Sequence, residues 1–91
     1  MKYALHFTPD ALKVASKWKK SNPDLYKKLF KILEDVSEHP KTGIGHPKPL
    51  VNGGGITYSR RIAAHHRVIY DIIEDIIEVH ITGIGGHYDD K

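Results

Sequence analysis

From Tyr58 to Tyr70 the chain reads Tyr-Ser-Arg-Arg-Ile-Ala-Ala-His-His-Arg-Val-Ile-Tyr. Polar and apolar residues alternate on both sides of a short polar break. A period of two, interrupted once, predicts two antiparallel strands joined by a tight turn. The strands carry Arg60, Arg61 and Arg67, and the turn carries His65 and His66. A guanidinium is permanently charged and planar, and it grips phosphate oxygens through paired hydrogen bonds. Three of them on a half-buried hairpin are costly unless an anion faces them. A nucleic-acid backbone is the first anion to consider.

The segments in front of the hairpin read as a strand and two helices. Tyr3, Leu5 and Phe7 alternate and predict a short first strand over 2–7. Thr8 followed by Pro9 predicts a helix start. That helix runs to about Lys20, with Leu12, Ala15 and Trp18 on its inner side. Ser21-Asn22-Pro23-Asp24 ends it and begins another. The second helix buries Leu25, Leu29, Ile32, Leu33 and Val36 and turns Lys27, Lys28 and Lys31 outward. So short a break predicts a hairpin of helices. His39-Pro40 closes the second helix. Residues 40–55 hold Pro40, Pro47 and Pro49 with five glycines, which predicts irregular backbone. A long loop of this kind often carries function, and it holds His46 and Lys48.

The remainder is β. Strands are predicted over 56–63, 67–73 and 76–82, the last after a turn at Glu74-Asp75. A two-residue turn there pairs Val68 with Ile81, Tyr70 with Val79 and Ile72 with Ile77. This apolar face packs on the helices, and Arg67 faces away from them. A three-residue turn in the first hairpin sets Ile62 opposite Val68. Ser59 and Arg61 then share the face of Arg67, and Arg60 snorkels at the rim of the sheet, whereas a two-residue turn inverts this arrangement. The prediction is a single α+β domain over 1–91. Its N-terminal strand and two-helix hairpin pack on one face of a small, mainly antiparallel sheet.

Composition narrows the function classes. The chain has no cysteine, which excludes a disulfide scaffold, a thiolate metal site and a cysteine nucleophile. No apolar run is long enough to span a membrane, so no membrane partner is expected, and no signal peptide is evident. The absence of cysteine suits the cytosol. The net charge of +3 conceals an asymmetry. Residues 1–67 hold 13 Lys/Arg against 5 Asp/Glu, and residues 68–91 hold 1 against 6. The front of the chain is strongly basic, as in proteins that neutralise phosphates. A lysine-rich solvated helix face accounts for part of that charge without any partner.

Cleaving RNA without a metal needs a base for the 2′-hydroxyl proton and a cation for the phosphorane. It also needs an acid for the departing 5′-oxygen and a ring to hold a splayed base. Arg61 and Arg67 suit the phosphate. Arg60, His65 and His66 are further candidates to contact RNA. An imidazole at His87 suits proton transfer, and Tyr88 suits stacking. Each has a plainer reading. His87 is then a solvated tail residue and Tyr88 a plug against the core. Arg67 pairs across the strands with an acidic neighbour, and His65 and His66 merely form a turn. No His-x-x-x-His lies on a helix and no carboxylate–histidine spacing points to a metal, so no cofactor is expected. Gly53-Gly54-Gly55 lacks the strand-to-helix setting of a phosphate-binding loop.

Four segments together resemble the YoeB/Txe branch of the RelE/ParE toxin superfamily. They are Gly43-Ile-Gly-His-Pro-Lys-Pro-Leu50, Tyr58-Ser-Arg-Arg-Ile62, His66-Arg-Val-Ile-Tyr70 and Gly86-His-Tyr88. Order and spacing match across 40–88, and the front matches in pattern. The resemblance implies a RelE-like, microbial-ribonuclease-type fold and a toxin of a type II toxin–antitoxin pair. Such a toxin is a metal-independent endoribonuclease that enters the ribosomal A site and cuts mRNA by attack of the 2′-hydroxyl. It implies partners as well: the ribosome and its mRNA, a YefM/Axe-like antitoxin that is acidic where it covers the site, and a possible homodimer in a bacterial cytoplasm. Carried over by position, Arg67 stabilises the phosphate with help from Arg61. His87 serves as acid or base, and Tyr88 holds the RNA. The family's glutamate base falls at Lys48, a departure. A lysine must shed its proton before it can act as a base, and a nearby cation such as Arg67 favours that loss. Three readings follow: Lys48 is the base, His87 is the base with Lys48 in electrostatic support, or activity is weak. Two other classes compete, a non-catalytic module that docks on RNA or a partner peptide, and a ParE-like gyrase poison. The paired arginines and the His-Tyr tail disfavour the latter.

Overall fold

Thr8 and Asn22 set where the helices begin. Thr8 Oγ1 accepts the Ala11 N–H at 3.3 Å, and Pro9 occupies the first position of α1 (Pro9–Ser21). An extended cap residue followed by proline is pre-shaped for a helix start. Asn22 then does two jobs. Its N–H bonds the Trp18 carbonyl at 2.8 Å, and its Oδ1 accepts the Leu25 N–H at 3.3 Å to open α2 (Pro23–Glu38). Among the described residues, 2–86 of this computed structural model, these are the two α-helices.

The inner stripe of α1 is Ala11, Ala15 and Trp18. Leu12, expected inside, is 54% exposed. A spacing of four and then three keeps to one face, whereas Leu12 lies about 100° round the helix from Ala11. In α2 the expected residues Leu25, Leu29, Ile32, Leu33 and Val36 are all buried.

The helices cover one face of a five-stranded sheet. Its strands are β1 (Ala4–Phe7), β2 (Lys48–Pro49), β3 (Thr57–Ala63), β4 (His66–Ile73) and β5 (Glu78–Gly85). They lie in the order β1-β5-β4-β3-β2, with β1 parallel to β5 and every other pair antiparallel. The strand β2 lies inside the stretch expected to be irregular. Pro49 fits there because β2 is an edge strand, where a missing N–H costs no ladder bond. The covered face of the sheet presents Ile62, Val68, Tyr70, Ile72, Val79, Ile81 and Ile84 to the core.

The register differs from the expectation in two places. Tyr70 pairs with Ile81 and Ile72 with Val79, two residues along from the predicted partners. The turn is longer because Glu74–Ile76 form a 3-10 turn and Ile77 takes a left-handed φ of 55°. A slip of two keeps the strand side chains on their own faces, so Val68, Tyr70, Ile72, Val79 and Ile81 stay in the core, while Ile77, expected there, falls in the turn and Ile84 joins instead. Further along, Thr82 is an extra residue between the Tyr70–Ile81 and Ile69–Gly83 pairs. This bulge lets Ile81 and Ile84, three apart, both face the helices.

Candidate functional site

Arg60 and Arg61 are neighbours on β3 and point to opposite sides of the sheet. Arg60 pairs with Val68 and so lies on the covered face, while Arg61 pairs with Arg67 on the open face. The hairpin turn holds two residues, not three, and a bulge at Ile62 accommodates the change. Arg61 and Arg67 therefore share a face, as expected. Arg60 does not sit at the rim.

Arg60 is fully buried. Its Nε donates to Tyr70 Oη at 3.0 Å. One Nη donates to Asp35 Oδ2 at 2.5 Å and to the Ile44 carbonyl at 3.0 Å. The other donates to the carbonyls of His39 and Thr42. An arginine has five N–H donors, and all five are used within the protein. The expectation that Arg60 contacts RNA is corrected: no donor remains for a phosphate. Tyr70 Oη in turn donates to the Pro40 carbonyl at 2.6 Å. The pair ties the segment after α2 to the sheet.

The ionisation of this cluster follows from its contacts. Burial raises the Asp35 carboxyl, but the Arg60 and Ile44 N–H bonds and the charges of Arg60 and His39 outweigh it. The group is held below the usual carboxylate range. Burial pushes the Tyr70 phenol up, and the Arg60 hydrogen bond opposes this only in part. Gly43 is required beside the cluster. With φ at +114°, a Cβ there would meet Asp35 Oδ2 at 1.9 Å.

On the open face, Lys48 pairs with Ser59, Ser59 with Ile69, and Ile69 with Gly83. The next row is Arg61, Arg67 and Gly85. Residues directly across antiparallel strands share a face, so Lys48, Arg61 and Arg67 converge there. Strands lie about 4.8 Å apart, which puts the Lys48 and Arg67 backbones within about 12 Å. Lys48 and Arg61 are exposed and Arg67 is half-buried. Ser59 lies beside Lys48 on β3, and Gly83 and Gly85 follow Ile69 and Arg67 on the far side, on β5. Like charges directly opposite one another repel, so the Arg61–Arg67 row favours an anion above it.

The remaining candidates fall elsewhere. His65 is exposed in the β3–β4 turn. His66 lies on the covered face, its ring edge-to-face with Trp18 at 5.2 Å, so it is placed against the core and not toward RNA. His87 and Tyr88 lie outside the described residues. One residue of interest, His46, went unassigned in the sequence reading. Its signal is a positive φ of 54° without a glycine, and only the structure shows that. A hollow lined by Lys31, Glu34, Asp35 and Glu38 lies against α2, away from the basic face.

The fold is similar to that of an Escherichia coli RelE mutant solved in the free state. That chain matches at a TM-score of 0.73 and 25% identity, covering 97% of this chain and 86% of its own. A YoeB dimer from Staphylococcus aureus matches at 0.84 and 25% identity, covering 97% of this chain and 100% of its own. The likeness extends to sequence: a YoeB toxin of Escherichia coli is 33% identical over 58 residues, 64% of this chain and 69% of its own. A family model for the YoeB-like toxin of bacterial type II toxin–antitoxin systems matches residues 7–88, and the chain belongs to that family.

Proposed function

We propose that the chain is a ribosome-dependent mRNA endoribonuclease, the toxin of a type II toxin–antitoxin pair. One observation supports this above the others: Lys48, Arg61 and Arg67 share the open face on three adjacent strands. A phosphodiester lying across them finds two guanidiniums and one ammonium. In cleavage by 2′-hydroxyl attack, charge builds on the non-bridging oxygens of the phosphorane, and fixed cations lower that barrier. Arg67 is assigned this role, with Arg61 assisting and Lys48 adding charge beside Ser59. His87 donates the proton to the departing 5′-oxygen, and Tyr88 stacks on a base. No step calls on a metal ion.

The partners follow from the same surface. Staphylococcus aureus YoeB has been solved with YefM, and also as a dimer. For this chain we assign a YefM-like antitoxin that is acidic where it covers the open face, so that its carboxylates take the place of phosphate. Pairing that resists high salt, or that lies far from Arg67, contradicts this assignment. A homodimer, the ribosome with its mRNA, and a bacterial cytoplasm complete the proposal.

The test adds the chain, or its Lys48→Ala variant, to purified ribosomes programmed with a defined mRNA and maps the RNA ends. The reading expects cuts in the A-site codon by the parent and a lower rate for the variant. Equal rates remove Lys48 from the machinery. No cutting by the parent rejects the nuclease.

A further inference from the structure

The geometry points to His46 as a proton-transfer residue of the open face, taking the 2′-hydroxyl proton of a bound RNA strand. This inference rests on the nuclease reading and adds a residue to its site.

Three observations carry it. The first is the backbone. His46 holds a φ of 54°, and only one other non-glycine described residue, Ile77, has a positive φ. The left-handed region is sparsely populated outside glycine, histidine being one of the residues that reach it, and residues held there cluster at functional sites. The second is position. If the Lys48–Ser59 pairing continued regularly, His46 would stand opposite Arg61. Instead the Arg61 N–H bonds the Gly45 carbonyl at 2.7 Å, so Gly45 and His46 together stand across from Arg61. The backbone before β2 thus departs from the regular ladder, as a bulge does where it re-aims a side chain. The Cβ position of Gly45 faces Ile32 and the Arg60 side chain on the covered side, and His46 is exposed. The third is its surroundings. Among the described residues the His46 side chain makes no hydrogen bond, ion pair or ring contact. By contrast His6 and His80 both engage Glu78, at 3.3 and 2.9 Å, and His66 packs on Trp18.

The chemistry needs such a group. Lys48 is two residues away, and an ammonium has no lone pair to accept a proton. A neutral imidazole has one. In the step assigned here, O2′ bonds to phosphorus while the P–O5′ bond breaks. The 2′ proton passes to the His46 imidazole. The 5′-oxygen leaves with a proton from the acid, giving a 2′,3′-cyclic phosphate and a 5′-hydroxyl. Arg61 and Lys48 flank the histidine and hold the phosphate within reach.

The test uses His46→Gly, because glycine takes a positive φ without strain. The variant is expected to melt at or above the parent's temperature. Its single-turnover cleavage on programmed ribosomes is expected to fall about 10²–10⁴-fold. The loss of rate toward acid pH should flatten, and added imidazole should restore part of the rate. A His46→Gly chain that cuts at the parental rate overturns the inference while leaving the nuclease standing. A slower variant with an unchanged pH profile and no imidazole rescue also overturns the proton-transfer role. A parent that does not cut at all overturns the nuclease and this inference together.

Discussion

The two faces of the sheet hold arginine in different ways. On the covered face, Arg60 is sealed under α2 and spends every donor on the protein. On the open face, Arg61 and Arg67 stand side by side across two strands, next to Lys48. One strand delivers both environments because successive residues alternate sides. The difference teaches that a buried guanidinium with five acceptors fixes backbone, whereas two guanidiniums paired across the open face are placed to meet an anion. The first is expected to register in stability, the second in RNA chemistry.

The largest expected effect is on the covered face. Arg60→Ala leaves the Asp35 carboxylate and several carbonyls without their donor. Stability should drop by about 3–5 kcal/mol, as when one partner of a buried pair is removed. Urea unfolding measures it, and a loss under about 1 kcal/mol breaks the contrast between the two faces. Tyr70→Phe comes next. It strips the acceptor from Arg60 Nε and the donor from the Pro40 carbonyl, at an expected cost of about 1–3 kcal/mol.

The cluster also sets a pH window. The folded Asp35 carboxyl is held low, so its contribution is complete above the unfolded value of about 3.9 and fades as acid takes the pH through the folded value. The Tyr70 phenol is raised, so its contribution is complete below about 10 and fades as the pH climbs through its folded value. Thermal melts from acid to alkali should trace this plateau, and Asp35→Asn should flatten its acid edge. An acid edge that the substitution leaves unchanged would show that other carboxylates set it.

The smallest effect sharpens the open face. Arg61→Ala should leave the melt unchanged, weaken binding to a short single-stranded RNA, and reduce the slope of log affinity against log salt by about 1. An unchanged slope would place Arg61 outside the phosphate path.

Much of this was legible in the amino-acid order. Thr8-Pro9 and Asn22-Pro23 mark both helix starts through local capping chemistry. The period-two pattern in 57–63 and 66–73 marks both strands, but Arg61 and Arg67 share a face through a bulge at Ile62 that the pattern does not show. What stayed hidden depends on residues far apart in the chain. Arg60 is buried because Asp35 lies 25 residues before it and the His39, Thr42 and Ile44 carbonyls converge on it. No local pattern encodes that convergence. The Thr82 bulge and the two-residue β2 are likewise set by the neighbouring strand. The left-handed backbone at His46 is a third example, since a histidine reaches that region only in a minority of positions. The expectations for His87 and Tyr88 fall outside the described residues.

The most direct test of the account is single-turnover cleavage of a defined mRNA on purified ribosomes by the parent and by Arg67→Ala, with a melting curve for each. The account predicts that Arg67→Ala still folds cooperatively and cuts about 10²–10³-fold more slowly. Parental cutting by a well-folded Arg67→Ala chain would contradict it, because the open face would then lack the catalytic role that separates it from the covered one.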